Sequence, residues 1–190
     1  MNKILPIFIL LISQLTLSQE FAVDKIPANL KENAYAVIRQ KNENIELLGV
    51  EELRYTEDVV ITVLNKAGDD YVGSMTYYNP NTKINLFEAS LYDASGKEIK
   101  KFKSKDFGDR SNVSDGQMYT DSRIKYLNHT PTFYPYTLHY KITTTTKNTL
   151  SIPRWTPIYS SNLSVEVSNY KFINKSDSQI RQNENNLSNF

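Results

Sequence analysis

The stretch NHTPTFYPYTLHYKITTTT, residues 128–146, decides how this chain is read, because it gathers four aromatic rings and both histidines of a 190-residue sequence. Either it is a binding or catalytic site, or it is a strand. Its residues alternate: Tyr134, Tyr136, Leu138, Tyr140 and Ile142 fall on one side of an extended chain, and Pro135, Thr137, His139, Lys141 and Thr143 on the other. Alternation accounts for most of the rings as half-buried tyrosines, whose apolar bodies enter a core while the hydroxyl stays near a polar partner. His139 then belongs to the polar face and His129 to the preceding loop. Ten residues separate them, and nothing in that spacing brings the imidazoles together as two histidines on one helix face would.

Outward from this stretch, the same period recurs. Leu53, Tyr55, Val59, Ile61 and Val63 alternate with Glu52, Arg54, Thr56, Asp58 and Thr62, the pattern of a half-buried strand. NKAGDD (65–70) and DASGK (93–97) each place a glycine where a short hairpin needs a positive φ, so both are predicted to turn between antiparallel strands. Further strands are predicted at 45–48, 71–78, 84–92, 98–103, 123–127 and 163–172. One short helix is predicted near the start, in DKIPANLKENA, where Pro27 suits a first turn and Ile26, Leu30 and Ala34 share a face. The fold class that follows is all-β: an antiparallel β-sandwich-like domain with a short N-terminal helix. Aromatic residues at 12% of the chain, with 13 Tyr against 6 Gly, favour strands over helices and argue against disorder in most of it.

The two ends differ from this middle. Met1, Asn2 and Lys3 precede ILPIFILLISQLTL, an apolar run too short to span a bilayer comfortably and followed by small or polar residues. Residues 1–18 are predicted to be a secretory signal peptide, with Thr16 and Ser18 at the −3 and −1 positions; an uncleaved membrane anchor is the alternative. Residues 19–173 form the β-sandwich-like domain. The polar segment 174–190, rich in Asn and Ser, is expected to be mobile. Removing Lys3 turns 22 basic residues into 21 against 21 acidic ones, a neutral balance unlike the basic surface of a nucleic-acid binder. An exported chain with no Cys has no disulfides and depends on its hydrophobic core.

Reaction chemistry has few candidates. There is no thiolate and no serine in a Gly-x-Ser-x-Gly elbow. Asp106, Asp109, Asn112, Asp115 and Asp121 are acidic or oxygen-bearing, but their spacing matches no compact Ca²⁺ loop, and a solvated turn is the expectation. Lys97, Lys100, Lys101, Lys103 and Lys105 are read as protection of a sheet edge, with an anionic polymer or lipid surface as the alternative. No catalytic residue, metal ligand or cofactor site is assigned. The residues singled out for a partner or ligand contact are Trp155 and Arg154, in SIPRWTPIY, where Pro153 and Pro157 stiffen the chain; a core tryptophan is the competing role.

The succession IPANLKENAYAVIRQ, VVITVLNKAGDD, LYDASGKEIKKFKSKD, VSDGQMYTDSRIKYL, YPYTLHYKI and RWTPI resembles the domain of unknown function 3857 family, from about Ile26 to Phe190 in the expected order. The resemblance implies a β-sandwich-like module of an exported bacterial envelope protein, normally N-terminal to a transglutaminase-like domain and typical of Bacteroidetes. The catalytic Cys, His and Asp of such a domain would lie beyond Phe190, so this chain is expected to be a truncated product or domain fragment, or to act alone. It implies no reaction for these residues. The resulting expectation is a non-enzymatic accessory or interaction domain in the periplasm, outer envelope or extracellular space. Its partner would be a transglutaminase-like domain or protein, and a carbohydrate-binding module contacting polysaccharide, or a peptide binder, is the alternative. No nucleic acid and no membrane span after signal removal are expected.

Overall fold

A computed structural model describes residues 20–112, 121–129, 131–181 and 183, with Ser104 described by its backbone only. The predicted signal peptide, Asp115 of the acidic group and residues 184–190 of the polar end lie outside these residues. None of the helices among the described residues is long and apolar enough to cross a membrane.

Among the described residues ten strands build two sheets: β1 (Ala36–Gly49), β2 (Glu52–Val63), β3 (Met75–Tyr78), β4 (Thr82–Tyr92), β5 (Glu98–Phe102), β6 (Phe107–Ser111), β7 (Arg123–Leu127), β8 (Tyr136–Thr146), β9 (Leu163–Val165) and β10 (Ser168–Asn174). The larger sheet has seven strands in the order β10-β1-β2-β8-β4-β5, with β9 also on β1; the smaller is β3-β7-β6. This is the all-β, two-sheet architecture expected. The two strands that close one edge, β9 and β10, run parallel to β1, whereas every other pairing is antiparallel.

The core lies on the inner face of the large sheet. Val59, Ile61 and Val63 of β2 and Tyr136, Leu138, Tyr140 and Ile142 of β8 are buried together, as period two requires. Phe107 and Leu127 bring the small sheet down onto them. The short helix α1 (Ala28–Lys31) follows Pro27, which sits at its N-cap position without a side-chain cap bond, and Ile26, Leu30 and Ala34 pack on Val37. The lysines of β5 lie on the outermost strand of the large sheet, and Lys100 lies 4.6 Å over the Phe102 ring. That placement agrees with a protected edge.

Local readings differ from the structure in several places: β1 begins at Ala36 rather than residue 45, and β6 occupies part of the acidic stretch expected to be a solvated turn. DASGK is the β4–β5 turn, with Gly96 at φ 84°, but NKAGDD is a 3-10 turn, Lys66–Tyr71, that carries the chain from the large sheet to the small one. Asn65 accepts from Ala67 N at 3.1 Å to start that turn. Gly68 has no positive φ; it is there because a Cβ would collide with the Tyr35 backbone. The strand predicted at 71–78 therefore shrinks to β3, and the one at 163–172 breaks into β9 and β10. Tyr134 is 36% exposed rather than in the core, and Thr137, assigned to the polar face, is fully buried. Thr137 meets Thr62 at 2.8 Å between hydroxyls, and its Oγ1 donates to Phe21 O at 3.4 Å. The outer face is covered there by the N-terminal segment, which no periodicity could reveal.

Candidate functional site

Between β8 and β9 the chain runs without regular structure from Lys147 to Asn162. It is tethered at intervals. Thr149 donates to Val50 O at 2.6 Å, Ser160 shares a 3.0 Å hydrogen bond with Tyr71, and Asn162 receives Tyr35 N at 2.8 Å. Pro153 O accepts the Tyr170 hydroxyl of β10. Proline cannot join a ladder as a donor, so a segment with Pro153 and Pro157 is held by side chains instead.

Tethering leaves the apolar side chains of this strap outward. Leu150 is 99% exposed, Ile158 67% and Trp155 48%, with Ile152 and Tyr159 also exposed. Trp155 thus takes the surface role and not the core role. Its indole N–H donates to Ser168 Oγ at 3.0 Å, and its ring lies 6.4 Å from that of Tyr170, 32° from parallel. Arg154 beside it is exposed and makes no ion pair among the described residues. Between Lys147 and Val165 the chain contains no carboxylate, so the strap is apolar and basic.

Near the strap, the sheet face carries charge. Glu43 and Glu57 are direct cross-strand partners, and Lys41 Nζ lies 3.4 Å from one oxygen of each. Tyr55 donates to the other Glu43 oxygen at 2.7 Å. Glu43 is 3% exposed. Burial holds the Glu57 carboxyl above the ordinary carboxylate range; Lys41 pulls it down and the Glu43 charge adds to the rise. Burial also raises the phenols of Tyr55, Tyr140 and Tyr159, and the carboxylates add to it. Two carboxyl groups thus share one ammonium under aromatic cover. This cluster was not among the sequence candidates. Its signal was present: Glu57 occupies an inward phase of β2, between Tyr55 and Val59.

The other sequence candidates are dispersed. His139 bonds Asp58 at 2.8 Å on the outer face. His129 stacks edge-on to Phe102 at 5.3 Å with its Nε2 buried and unbonded, and burial, then Lys100, lowers its pKa. The histidines are not brought together. Asp106 accepts from Lys103 N at 2.8 Å, while Asp109 takes the Tyr78 hydroxyl at 2.6 Å and Arg123 at 2.8 Å. Asn112 instead pairs with Ser122. Among the described residues, no group of three or more His, Cys, Asp or Glu could hold a metal ion.

Two packed sheets and a tethered surface strap define a small all-β domain with an exposed aromatic and basic segment. Among solved structures, a "putative protease" from Parabacteroides distasonis superposes with a TM-score of 0.50 at 14% identity, over 60% of this chain and 23% of that one. Aminopeptidase A of Legionella pneumophila, solved with aspartic acid, matches at a TM-score of 0.26 and 10% identity, over 65% of this chain and 11% of that one. The first likeness is one of fold, and this chain spans less than a quarter of either protein. No curated protein matches in sequence. The chain belongs to the domain of unknown function family DUF3857, whose profile matches residues 51–189. The match begins after β1, although β1 pairs with three strands of the sheet.

Proposed function

We propose that this chain is a non-catalytic accessory domain of an exported protein, and that its strap docks it against a transglutaminase-like domain in the same or a neighbouring protein. The observation that carries the reading is the outward strap: Leu150, Ile152, Trp155, Ile158 and Tyr159 expose apolar surface on a segment whose backbone is tied down. Exposed apolar side chains concentrated on one segment suit an interaction site. Tryptophan beside arginine is the composition of interface anchors, and a pre-tethered segment loses little freedom on binding. A fold relative named a protease is a far longer protein, of which the matched part is 23%, in keeping with an auxiliary module. Export to the periplasm or beyond rests on the apolar N-terminal run.

Calorimetric titration of the full chain against a purified transglutaminase-like partner domain tests the docking. Saturable binding is expected, weakened about tenfold or more by Trp155→Ala and less by Arg154→Ala. Undiminished binding by the tryptophan variant overturns the strap as the interface. The chain alone is expected to show no peptidase, transglutaminase or glycosidase turnover, and turnover abolished by one substitution overturns the non-catalytic reading. A carbohydrate-binding role is the alternative, with the exposed Trp155 ring, tilted 32° to that of Tyr170, as its sugar contact. A Trp155 fluorescence change with a soluble polysaccharide, and none with the protein partner, moves the function there.

A further inference from the structure

β4 is eleven residues long, yet β5 pairs only with its end, Ala89–Tyr92. After Phe102 the chain leaves that edge through the 3-10 turn Ser104–Asp106 and enters the small sheet as β6. Residues Lys83–Glu88 of β4 are therefore bonded to β8 on one side, with a bulge between Ile84 and Leu86, and have no strand on the other among the described residues; Thr82 just before them is closed by Asn79, to which both its N–H and its C=O are bonded. A bare row of backbone N–H and C=O groups is a template for another extended chain.

A cleft of about 520 Å³ opens along this vacated edge, where the two sheets diverge. Its volume falls within the range of ligand-binding pockets. Phe87 and Phe107, with ring centroids 4.3 Å apart, contribute an apolar surface together with Ile84. Lys83 and Lys125 line it, and no carboxylate does. Lys83 has no ion-pair partner among the described residues. The neighbouring Asp109 is committed to Tyr78 and Arg123.

We propose that this edge is a peptide-binding site, in which an extended, acidic segment of a partner protein adds as a strand to Lys83–Glu88 in line with β5. Main-chain hydrogen bonds to the open edge would supply affinity. Apolar side chains of the peptide cover Phe87 and Phe107, and its carboxylates reach Lys83 and Lys125, which select acidic sequences over basic ones. Lysines on an edge strand ordinarily discourage pairing, as Lys100 and Lys101 do on β5. Lys83 and Lys125 differ in flanking an apolar cleft beside unpaired backbone. The site is at the other edge of the large sheet from β10, to which Trp155 is bonded, so it stands independently of docking through Trp155.

The test titrates the full chain with a capped, fluorescein-labelled peptide of alternating valine and glutamate, and with its valine–lysine counterpart. The acidic peptide is expected to bind saturably and at least about tenfold more tightly than the basic one. Amide shifts in nitrogen-15 spectra should concentrate at Lys83–Phe87 and Phe107. The double variant Lys83→Glu, Lys125→Glu should lose about tenfold in affinity for the acidic peptide, and Trp155→Ala should leave it unchanged. Absence of saturable binding, equal binding of the two peptides, or shifts confined elsewhere would overturn the site and leave edge protection as the role of these lysines.

Discussion

Glu43 and Glu57 face each other directly across β1 and β2, and one ammonium, Lys41 Nζ, stands 3.4 Å from an oxygen of each. Like charges directly opposite in a sheet are destabilising, so the lysine holds the pair together. Replacing it leaves two carboxylates on a largely buried face. Lys41→Met is expected to cost about 2 kcal/mol, below the full loss for a buried pair because Lys41 and Glu57 side chains each keep 18% exposure. Adding Glu57→Gln to that variant should restore part of the loss. Urea titrations of the three proteins measure both effects, and a cost for Lys41→Met within 0.5 kcal/mol of zero, on the order expected for an unremarkable surface site, would contradict the arrangement.

The pH dependence of the same site has a definite sign. Glu57 has a folded pKa raised above 4.5, so the folded state holds its proton more tightly than the unfolded chain does. Its contribution to stability is greatest below about pH 4.5 and falls as pH rises from there through the raised value. Asp58 behaves in reverse: the hydrogen bond from His139 lowers its pKa, and its contribution is lost as pH falls through that lowered value. The difference in stability between wild type and Glu57→Gln should therefore shift toward the variant between pH 4 and pH 7, on the order of 1 kcal/mol per unit of pKa difference. Thermal melts of both proteins across that range check the direction. A shift toward wild type would show that Lys41 outweighs burial.

The strand that opened the reading makes a graded set. Tyr136→Ala and Tyr140→Ala remove buried rings and should each cost on the order of 3 kcal/mol. Lys141→Ala, on the outer face, should stay within about 0.5 kcal/mol. Thr137→Ala is also on that face but should cost about 1 to 2 kcal/mol, because it leaves the buried Thr62 hydroxyl without its partner at 2.8 Å. Denaturant unfolding ranks the four. If Thr137→Ala were as mild as Lys141→Ala, the cover of Phe21 over this end of the face would be incidental.

Two glycines separate steric from conformational causes. Gly96→Ala meets a φ of 84° at the β4–β5 turn and should cost about 1 kcal/mol. Gly68→Ala drives a methyl into the Tyr35 backbone and should cost more, about 2 to 3 kcal/mol, since the obstacle is main chain. Melting temperatures in the opposite order would mean that the Lys66–Tyr71 turn shifts freely.

What the sequence determined by itself is most of the strands after Glu52 and their inward faces; the first part of β1 was not legible, and β6 lies where a solvated turn was expected. Side chains of an extended chain alternate whatever surrounds them, so Tyr136, Leu138, Tyr140 and Ile142 were legible as one buried row, and DASGK as a turn, before any partner strand was placed. The edge role of the β5 lysines was legible for the same reason. What only the tertiary structure decided is what stands across from each residue. Local period does not contain register: Glu57 could be seen to point inward, but that Glu43 opposes it and Lys41 bridges both depends on how β1 slides along β2. The Asn65–Asp70 glycine turn, the burial of Thr137 and the exposure of Trp155 follow likewise from contacts between segments remote in the chain. The vacated edge of β4 exists because β5 stops at Phe102 and the chain crosses to the other sheet, and that choice is made by Phe107 and Leu127 finding the core, at positions no strand-length pattern encodes.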